Sequence, residues 1–188
     1  MKTYSCNIAL GLICAGVLTS CTSNPEPVKM HVSASLRPES SPTGKVFQEV
    51  NSYRRSIGKQ ELQRHSSLDK LAQAHCEYLR KHRGEFSLYG TNVSHIGFEG
   101  RVAIARERFQ INNMSENVAA ANHPGKAPAP VLLALWKGSK DHHKNLVDDW
   151  THTGVGLVTD SDGTVFSTQL FGVVNFSQMS SRERFNRR

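Results

Sequence analysis

Residues 154–171 read GVGLVTDSDGTVFSTQLF, and this stretch decides the fold. Two apolar runs, Gly154 to Val158 and Thr164 to Phe171, flank the polar residues Thr159 to Gly163. An Asp-Gly pair between two apolar runs is a strong signal for a β-hairpin, because glycine tolerates the positive φ angles of a tight turn. The sequence therefore predicts two antiparallel strands towards the end of the chain.

The segments before this hairpin have helical patterns. Apolar residues recur with a 3.6-residue period over 44–57, and again from an N-cap at Ser66 or Ser67 to a position just before Gly84. Helices followed by a late hairpin predict the α+β class, with helices packed on a small antiparallel sheet. Two further helices are predicted over 99–109 and from Pro130 onward, and a short strand over 117–120.

The first 20 residues have the pattern of a secretory signal. Lys2 precedes an apolar run of about 11 residues, Ile8 to Leu18, which is shorter than the roughly 20 residues that span a bilayer core. The residues Leu18-Thr19-Ser20-Cys21 resemble the lipobox of bacterial lipoproteins, in which cleavage leaves the cysteine at a new, lipid-bearing N-terminus. We expect lipidation of Cys21 and anchoring to the membrane of a bacterial cell envelope. Ordinary secretion with a chance cysteine is the alternative.

The rest of the chain divides into three parts. Residues 21–42 begin with the lipidated cysteine and are rich in proline and serine without an apolar period, which predicts a flexible tether. Residues 43–175 are long enough for one domain with its own core. Residues 176–188 are polar and basic, which predicts a disordered tail.

Charge and cysteine content restrict the function further. The chain has 23 Lys and Arg against 16 Asp and Glu, but no basic stripe interleaved with aromatic residues, so we expect no nucleic-acid partner. Attraction to anionic lipid or wall polymer and a solvated surface without a partner both remain open. Of the four cysteines only Cys76 remains in the folded part, so the domain depends on its core and not on disulfides. Cys76 lies in a helical pattern typical of a buried, unreactive cysteine.

Three spaced motifs precede the hairpin. They are Ser94-His95 followed by Gly97-Phe98 and Arg101; Ser115-Glu116-Asn117-Val118-Ala119; and Trp136-x-x-Ser139-x-x-His142-x-x-Asn145-Leu146. Together with the hairpin, over residues 44–174, they resemble the CAP superfamily (SCP/TAPS), in its bacterial form. This superfamily includes cysteine-rich secretory, antigen 5 and pathogenesis-related proteins. The resemblance implies an α-β-α sandwich, a small antiparallel sheet between helical layers.

The resemblance also implies a cleft that gathers two histidines and one or two acidic residues, often with zinc or another divalent ion. Carried over by motif, the metal ligands are His95, Glu116 and His142, and the motif spacing selects His142 over His143. Two imidazoles and a carboxylate suit zinc, and three protein ligands leave a fourth position for water. Metal in such a cleft can also be adventitious, since convergent histidines attract any available zinc or copper.

Two polar residues are expected to line this cleft, Asn117 and Ser139. Many eukaryotic relatives have a second glutamate at the position of Ser139, and a serine neither ligates zinc well nor acts as a base. The expected site is therefore poorer by one carboxylate, which disfavours hydrolysis. Ser139 lies near a helix end, where a hydrogen bond to the backbone is its ordinary role.

Other conspicuous side chains have structural interpretations. His75 lies on an apolar helical face and is interpreted as a satisfied core histidine. His123 and His152 fall in predicted loops and are expected in solvent. Trp136 and Trp150 are interpreted as packing anchors.

The predicted function is a monomeric, lipid-tethered CAP domain whose His/Glu cleft binds a divalent metal or small ligand at the cell surface or wall. A metal-dependent peptidase or other hydrolase, with Glu116 as general base, is the first alternative. A non-catalytic adhesion module is the second. A cell-wall polymer, a peptide and a small lipid are open as ligands.

Overall fold

Within residues 39–86 and 94–174, the parts of the chain that the computed structural model describes, five helices and four strands follow one another. The signal segment, Cys21, most of the tether and the basic tail lie outside the described residues. None of the helices in the described ranges is long and apolar enough to cross a membrane. The elements are α1 Pro42–Ser56, β1 Gln63–Arg64, α2 Ser66–Lys81, α3 Phe98–Phe109, β2 Ile111–Ala121, α4 Pro128–Gly138, α5 Lys140–Val147, β3 His152–Thr159 and β4 Val165–Val174.

The predicted hairpin forms the centre of the sheet. Strands β3 and β4 pair antiparallel up to Thr159 and Val165, and the turn contains Gly163 at φ +84°. The strand order is β1-β3-β4-β2, with β2 antiparallel to β4 and the two-residue β1 parallel to β3. The α+β class is confirmed.

Strand β2 is much longer than the predicted strand over 117–120. It runs from Ile111 to Ala121 and pairs with β4 along that length, with a bulge between Asn112 and Met114. Asn113 at the bulge has φ +48°. Polar residues in the first half of β2 hide the alternation that signals a strand, and its pairing partner is distant in sequence.

Helices cover both faces of the sheet. Buried side chains of α1, α4 and α5 pack on one face, and those of α2 and α3 pack on the other, as the sandwich fold requires. Trp136 is fully buried and Trp150 packs against the same cluster, so both are the packing anchors that were predicted. Cys76 is buried and unpaired, also as predicted, and burial raises the pKa of its thiol to about 12.

Helix α2 lies directly against strand β3 because two glycines of β3 have no side chain. A Cβ atom on Gly154 would lie 2.3 Å from the amide nitrogen of Asp69, and one on Gly156 would lie 2.3 Å from the carbonyl carbon of Ala72. Real Cβ atoms do not approach backbone so closely. The two glycines therefore set the distance between this helix and the sheet.

Side chains of α2 also complete the hydrogen bonding along the outer edge of β3 beyond the short β1. Asp69 Oδ1 accepts a hydrogen bond from the amide of Val155 at 2.8 Å, and Gln73 Oε1 accepts one from Leu157 at 3.1 Å. Residues four apart lie on one face of a helix, as these two acceptors do. The helix thus protects a strand edge that would otherwise present unpaired amides.

The start of α2 differs from the prediction. The N-cap is His65, without a side-chain cap bond, whereas Ser66 or Ser67 was expected. The His65 amide donates to the carbonyl of Thr153 at 2.9 Å, extending the pairing of β1 with β3. Because the chain is still extended at His65, the helix begins at the next residue and both serines fall inside its first turn.

Candidate functional site

The three residues carried over as metal ligands meet beside β2, an outer strand of the sheet. Glu116 lies on β2, His95 on the segment before α3, and His142 on α5. His95 Nδ1 lies 2.9 Å from Glu116 Oε1. The ring centroids of His95 and His142 are 5.8 Å apart, and the rings are inclined at 55°. The side chain of His95 is 45% exposed and that of Glu116 only 2%, so the imidazole lies at the surface above a buried carboxylate.

A further residue, Arg101 of α3, forms an ion pair with the carboxylate of Glu116. Its Nε donates to Glu116 Oε2 and its Nη2 donates to Glu116 Oε1, each at 2.8 Å. Its Nη1 donates to the carbonyl of Ile96 at 3.0 Å. Such two-armed arginine–carboxylate pairs are among the strongest ion pairs in proteins. Both oxygens of Glu116 are therefore engaged within the chain.

His75 of α2 is buried, as predicted, and it also borders the site. Its Nε2 lies 2.9 Å from the carbonyl of Ser94 and 4.0 Å from Glu116 Oε1. Burial lowers its pKa below the usual value, although Glu116 opposes that shift. A neutral imidazole whose Nε2 faces a carbonyl carries its proton there and donates it to Ser94. His75 is thus a satisfied histidine, but its hydrogen bond is to the segment that carries His95.

A hydrogen bond holds the backbone of His142, whereas one nitrogen of its ring has no hydrogen-bond partner among the described residues. Its carbonyl accepts a hydrogen bond from Asn117 Nδ2 at 3.0 Å. Its Nδ1 is buried without a hydrogen-bond partner among the described residues. Burial first, and then His95, lower the pKa of His142, which favours the neutral imidazole. The neighbouring His143 lies within 2.7 Å of the Tyr53 hydroxyl instead, so the two histidines have different surroundings.

The two residues expected to line the cleft have different positions. The side chain of Asn117 is fully buried, and its Oδ1 accepts from Asn145 Nδ2 at 2.9 Å, so it connects β2 with α5 beneath the histidines. Asn145 also donates to the carbonyl of Glu116 at 3.3 Å. Ser139 is half-buried at the junction of α4 and α5, and its side chain makes no cap hydrogen bond. Its carbonyl accepts from the amide of His143 at 2.8 Å.

The prediction for His152 was wrong. It is the first residue of β3, is 4% exposed, and its ring meets His65 edge-on at a centroid distance of 5.8 Å. The strand begins two residues earlier than the apolar pattern indicates, because His152 pairs with Gln63 and Gly172. His123 is exposed, in a left-handed conformation at φ +48°, as expected for a loop.

The sequence analysis included Arg101 in the first motif without assigning it a role, and it placed His75 only in the core. A basic residue six positions after His95 on a short helix is a weak signal, and so is one histidine on an apolar face. Both become meaningful only once Glu116 is known to lie between them.

The residues present fit a metal site with two protein ligands better than one with three. Within residues 39–86 and 94–174, no group of three or more His, Cys, Asp or Glu side chains has an arrangement that could hold a metal ion. Arg101 donates hydrogen bonds to both oxygens of Glu116, whereas His95 and His142 each have a ring nitrogen that Arg101 does not contact. Neutral imidazole suits zinc and copper.

The fold is shared with solved bacterial structures. An outer surface protein from Borrelia burgdorferi aligns with a TM-score of 0.57 and 17% identity, covering 73% of this chain and 96% of that one. An extracellular protein containing an SCP domain from Bacillus anthracis aligns with a TM-score of 0.53 and 24% identity over 70% of this chain. A cysteine-rich secretory protein from Staphylococcus aureus aligns with a TM-score of 0.51 and 16% identity over 70% of this chain. This chain spans only 40% and 38% of the last two proteins.

At these identities the likeness shows a common fold. No curated protein matches the sequence. A comparison with protein families, however, matches residues 47–176 to the cysteine-rich secretory protein family, CAP, which is more than half of the chain. The resemblance predicted from the motifs is confirmed, and the chain belongs to the CAP family.

Proposed function

We propose that this protein is a surface-exposed or secreted CAP module whose cleft binds a divalent metal ion, such as zinc, through the imidazoles of His95 and His142. The observation that carries the proposal is the proximity of the two imidazole rings, whose centroids are 5.8 Å apart. Of the two, His95 makes the hydrogen bond to the Glu116 carboxylate. A metal bound by two imidazoles would keep coordination positions open for water or a small ligand.

In this proposal Glu116 is not a metal ligand but orients the ligand His95. It accepts a hydrogen bond from His95 Nδ1, which leaves the Nε2 lone pair of His95 directed away from the carboxylate. Hydrogen bonding of a ligating histidine to a carboxylate fixes the ring orientation and the tautomer. Arg101 in turn fixes the carboxylate.

The same contacts disfavour a hydrolase. A general base needs an oxygen that can reach a proton on water or substrate. Both oxygens of Glu116 accept from Arg101, and the side chain is 2% exposed. Ser139 adds no carboxylate. Binding is therefore the better-supported activity, with wall polymer, peptide or small lipid as candidate ligands and no role for nucleic acid.

The proposed location rests on the N-terminal sequence. We propose that Cys21 carries the lipid anchor and that the protein is displayed on a bacterial envelope as a monomer. The lipobox-like Leu18-Thr19-Ser20-Cys21 supports the anchor, and the outer surface and extracellular proteins of the same fold support the compartment. Labelling with an alkyne fatty acid in a bacterial host tests it: the wild type should be labelled and Cys21→Ala should not. Equal labelling of the two would exclude this cysteine as the attachment site.

Zinc titration tests the metal site. Isothermal titration calorimetry of the wild type should give saturable binding, which the double variant His95→Ala/His142→Ala should lose. His123→Ala is the matched control, since His123 is an exposed histidine outside the cleft and its removal should leave binding unchanged. Equal binding by the wild type and the double variant would rule out this site and leave the adhesion module as the better hypothesis.

A further inference from the structure

His75 is a buried histidine that the proposed function does not use. Its side chain is 1% exposed, and its ring stacks on Tyr78 with 9° between the planes and 6.0 Å between centroids. Packing on a rigid helix and stacking on Tyr78 fix the direction of its Nε2. That nitrogen lies 2.9 Å from the carbonyl of Ser94, the residue immediately before His95.

The short segment from Ser94 to Gly97 is held at three points by three different elements. The Ser94 carbonyl meets His75 of α2, the His95 ring meets Glu116 of β2, and the Ile96 carbonyl accepts from Arg101 of α3. Two of these contacts lead back to one carboxylate, because Arg101 also pairs with Glu116. The hydrogen bond of His75 is made to the backbone one residue before the imidazole, although its Nε2 also lies 4.0 Å from Glu116 Oε1.

We infer that His75 is a positioning residue: by donating its Nε2 hydrogen to the Ser94 carbonyl, it holds the His95 ring in line with Glu116 and His142. Without this bond, the first backbone contact of the described segment is at the His95 carbonyl, which accepts from the Phe98 amide at 3.1 Å, and we expect the ring to turn away from the carboxylate more easily. A displacement of about 1 Å is enough to weaken a ligand set substantially. The effect on metal binding rests on the proposed function, whereas the effect on His95 itself does not.

Two substitutions separate the hydrogen bond from the packing. His75→Phe keeps a ring that can stack on Tyr78 but has no donor. His75→Gln places an amide nitrogen at about the distance of Nε2 and restores the donor without the imidazole. His82→Phe is the matched control, because it makes the same change at the C-cap of α2 in a histidine that also stacks on Tyr78, while its hydrogen-bond partner is Glu85, away from the His95 segment.

The first measurement uses metal-free protein, in which long-range proton–nitrogen NMR spectra report the tautomer of each imidazole. Wild-type His75 should be the Nε2–H tautomer and His95 a single Nδ1–H tautomer. His75→Phe should convert His95 to a mixture of tautomers, while His75→Gln and His82→Phe should keep the wild-type pattern. An Nδ1–H tautomer at His75 in the wild type would overturn the inference without any variant, which covers the case that His75→Phe does not fold.

The second measurement is zinc affinity by calorimetry. Loss of a partner behind a ligand typically costs 10–100-fold in metal affinity, and we expect about tenfold for His75→Phe and less than twofold for His75→Gln. If both variants keep wild-type affinity and a single His95 tautomer, or both lose them equally, the positioning role is wrong. If wild type binds no zinc but the tautomer of His95 still depends on His75, the proposed metal site fails and the positioning role stands.

Discussion

Arg101 and Glu116 form a two-armed ion pair in which Nε and Nη2 of the guanidinium each lie 2.8 Å from a different carboxylate oxygen. The two side chains are 11% and 2% exposed, so the pair is largely buried at the junction of α3 and β2. It has two consequences for the cleft. Both carboxylate oxygens accept hydrogen bonds within the chain, and the position of α3 is tied to the residue that contacts His95.

Removing one partner of this pair should destabilise the protein strongly. Arg101→Leu leaves a buried carboxylate without its cation, and we expect a loss of about 3–5 kcal/mol in the free energy of unfolding. Urea denaturation measures it. The double variant Arg101→Leu/Glu116→Leu should recover part of this loss, because the uncompensated charge is gone.

An exposed ion pair gives the matched control. Arg80 and Glu77 lie 2.8 Å apart with side chains 47% and 45% exposed. Arg80→Leu should change stability by at most about 1 kcal/mol, since water screens the pair. If Arg101→Leu and Arg80→Leu cost the same, the two-armed pair is not a structural element of the site.

The contact of Gly156 with Ala72 predicts that this glycine tolerates no side chain. Gly156→Ala would place a Cβ 2.3 Å from the carbonyl carbon of Ala72, and helix backbone cannot yield as a side chain does. We expect at least about 3 kcal/mol of destabilisation, the upper end for overpacking. Gly138→Ala is the control, because it has open space and helical geometry. It should be neutral or stabilising by about 0.5–1 kcal/mol. Thermal unfolding that ranks the two variants in the opposite order contradicts the packing.

Local sequence signals were sufficient for much of the fold. The Asp162-Gly163 pair between apolar runs predicted the hairpin, since a turn and its flanking strands are encoded within a few residues. The period of apolar residues predicted α1 and α2 because a helix buries one face. The motif spacing brought His95, Glu116 and His142 into one hypothesis, and these residues do lie together.

The remaining features depend on contacts between residues distant in sequence. The first half of β2 is polar and becomes a strand only because β4 pairs with it. His152 is buried because neighbouring strands pair with it, although its polarity alone predicts exposure. The contacts of Glu116 with Arg101 and of Ser94 with His75 join three elements, so no local pattern identifies them. Propensity and periodicity describe single elements, whereas these contacts require the assembled sandwich.

The buried thiol of Cys76 should be chemically inert in the folded protein. Its pKa is raised to about 12, chiefly by burial, so the reactive thiolate is about one part in ten thousand at pH 8. In a chain that starts at residue 22, Cys76 is the only cysteine. We expect no iodoacetamide labelling in native buffer and complete labelling in urea, read by mass spectrometry. Rapid labelling of native protein would show that the α2 side of the sheet opens easily.

The ion pairs between Arg83 and the hairpin turn should make the free energy of unfolding depend on pH. Arg83, just after α2, pairs with Asp160 and Asp162 of the turn. The pKa of Asp162 is lowered mainly by Arg83, and that of Asp160 by the Ser161 amide and then Arg83. Carboxylates with a lowered pKa in the folded state stabilise it above their unfolded pKa of about 3.9, and this stabilisation is lost as pH falls through the lower folded values.

Arg83→Gln isolates this contribution. The wild type should have the higher Tm at pH 7 in low salt, and the difference should shrink below about pH 4, where the two carboxylates begin to protonate. It should also shrink in 1 M salt, because the groups are partly exposed and screened. Arg55→Gln is the control, since Arg55 pairs with Glu61 on the other side of the sheet. A Tm difference for Arg83→Gln that is constant from pH 7 to pH 2 would mean that the arginine acts through packing and not through its charge.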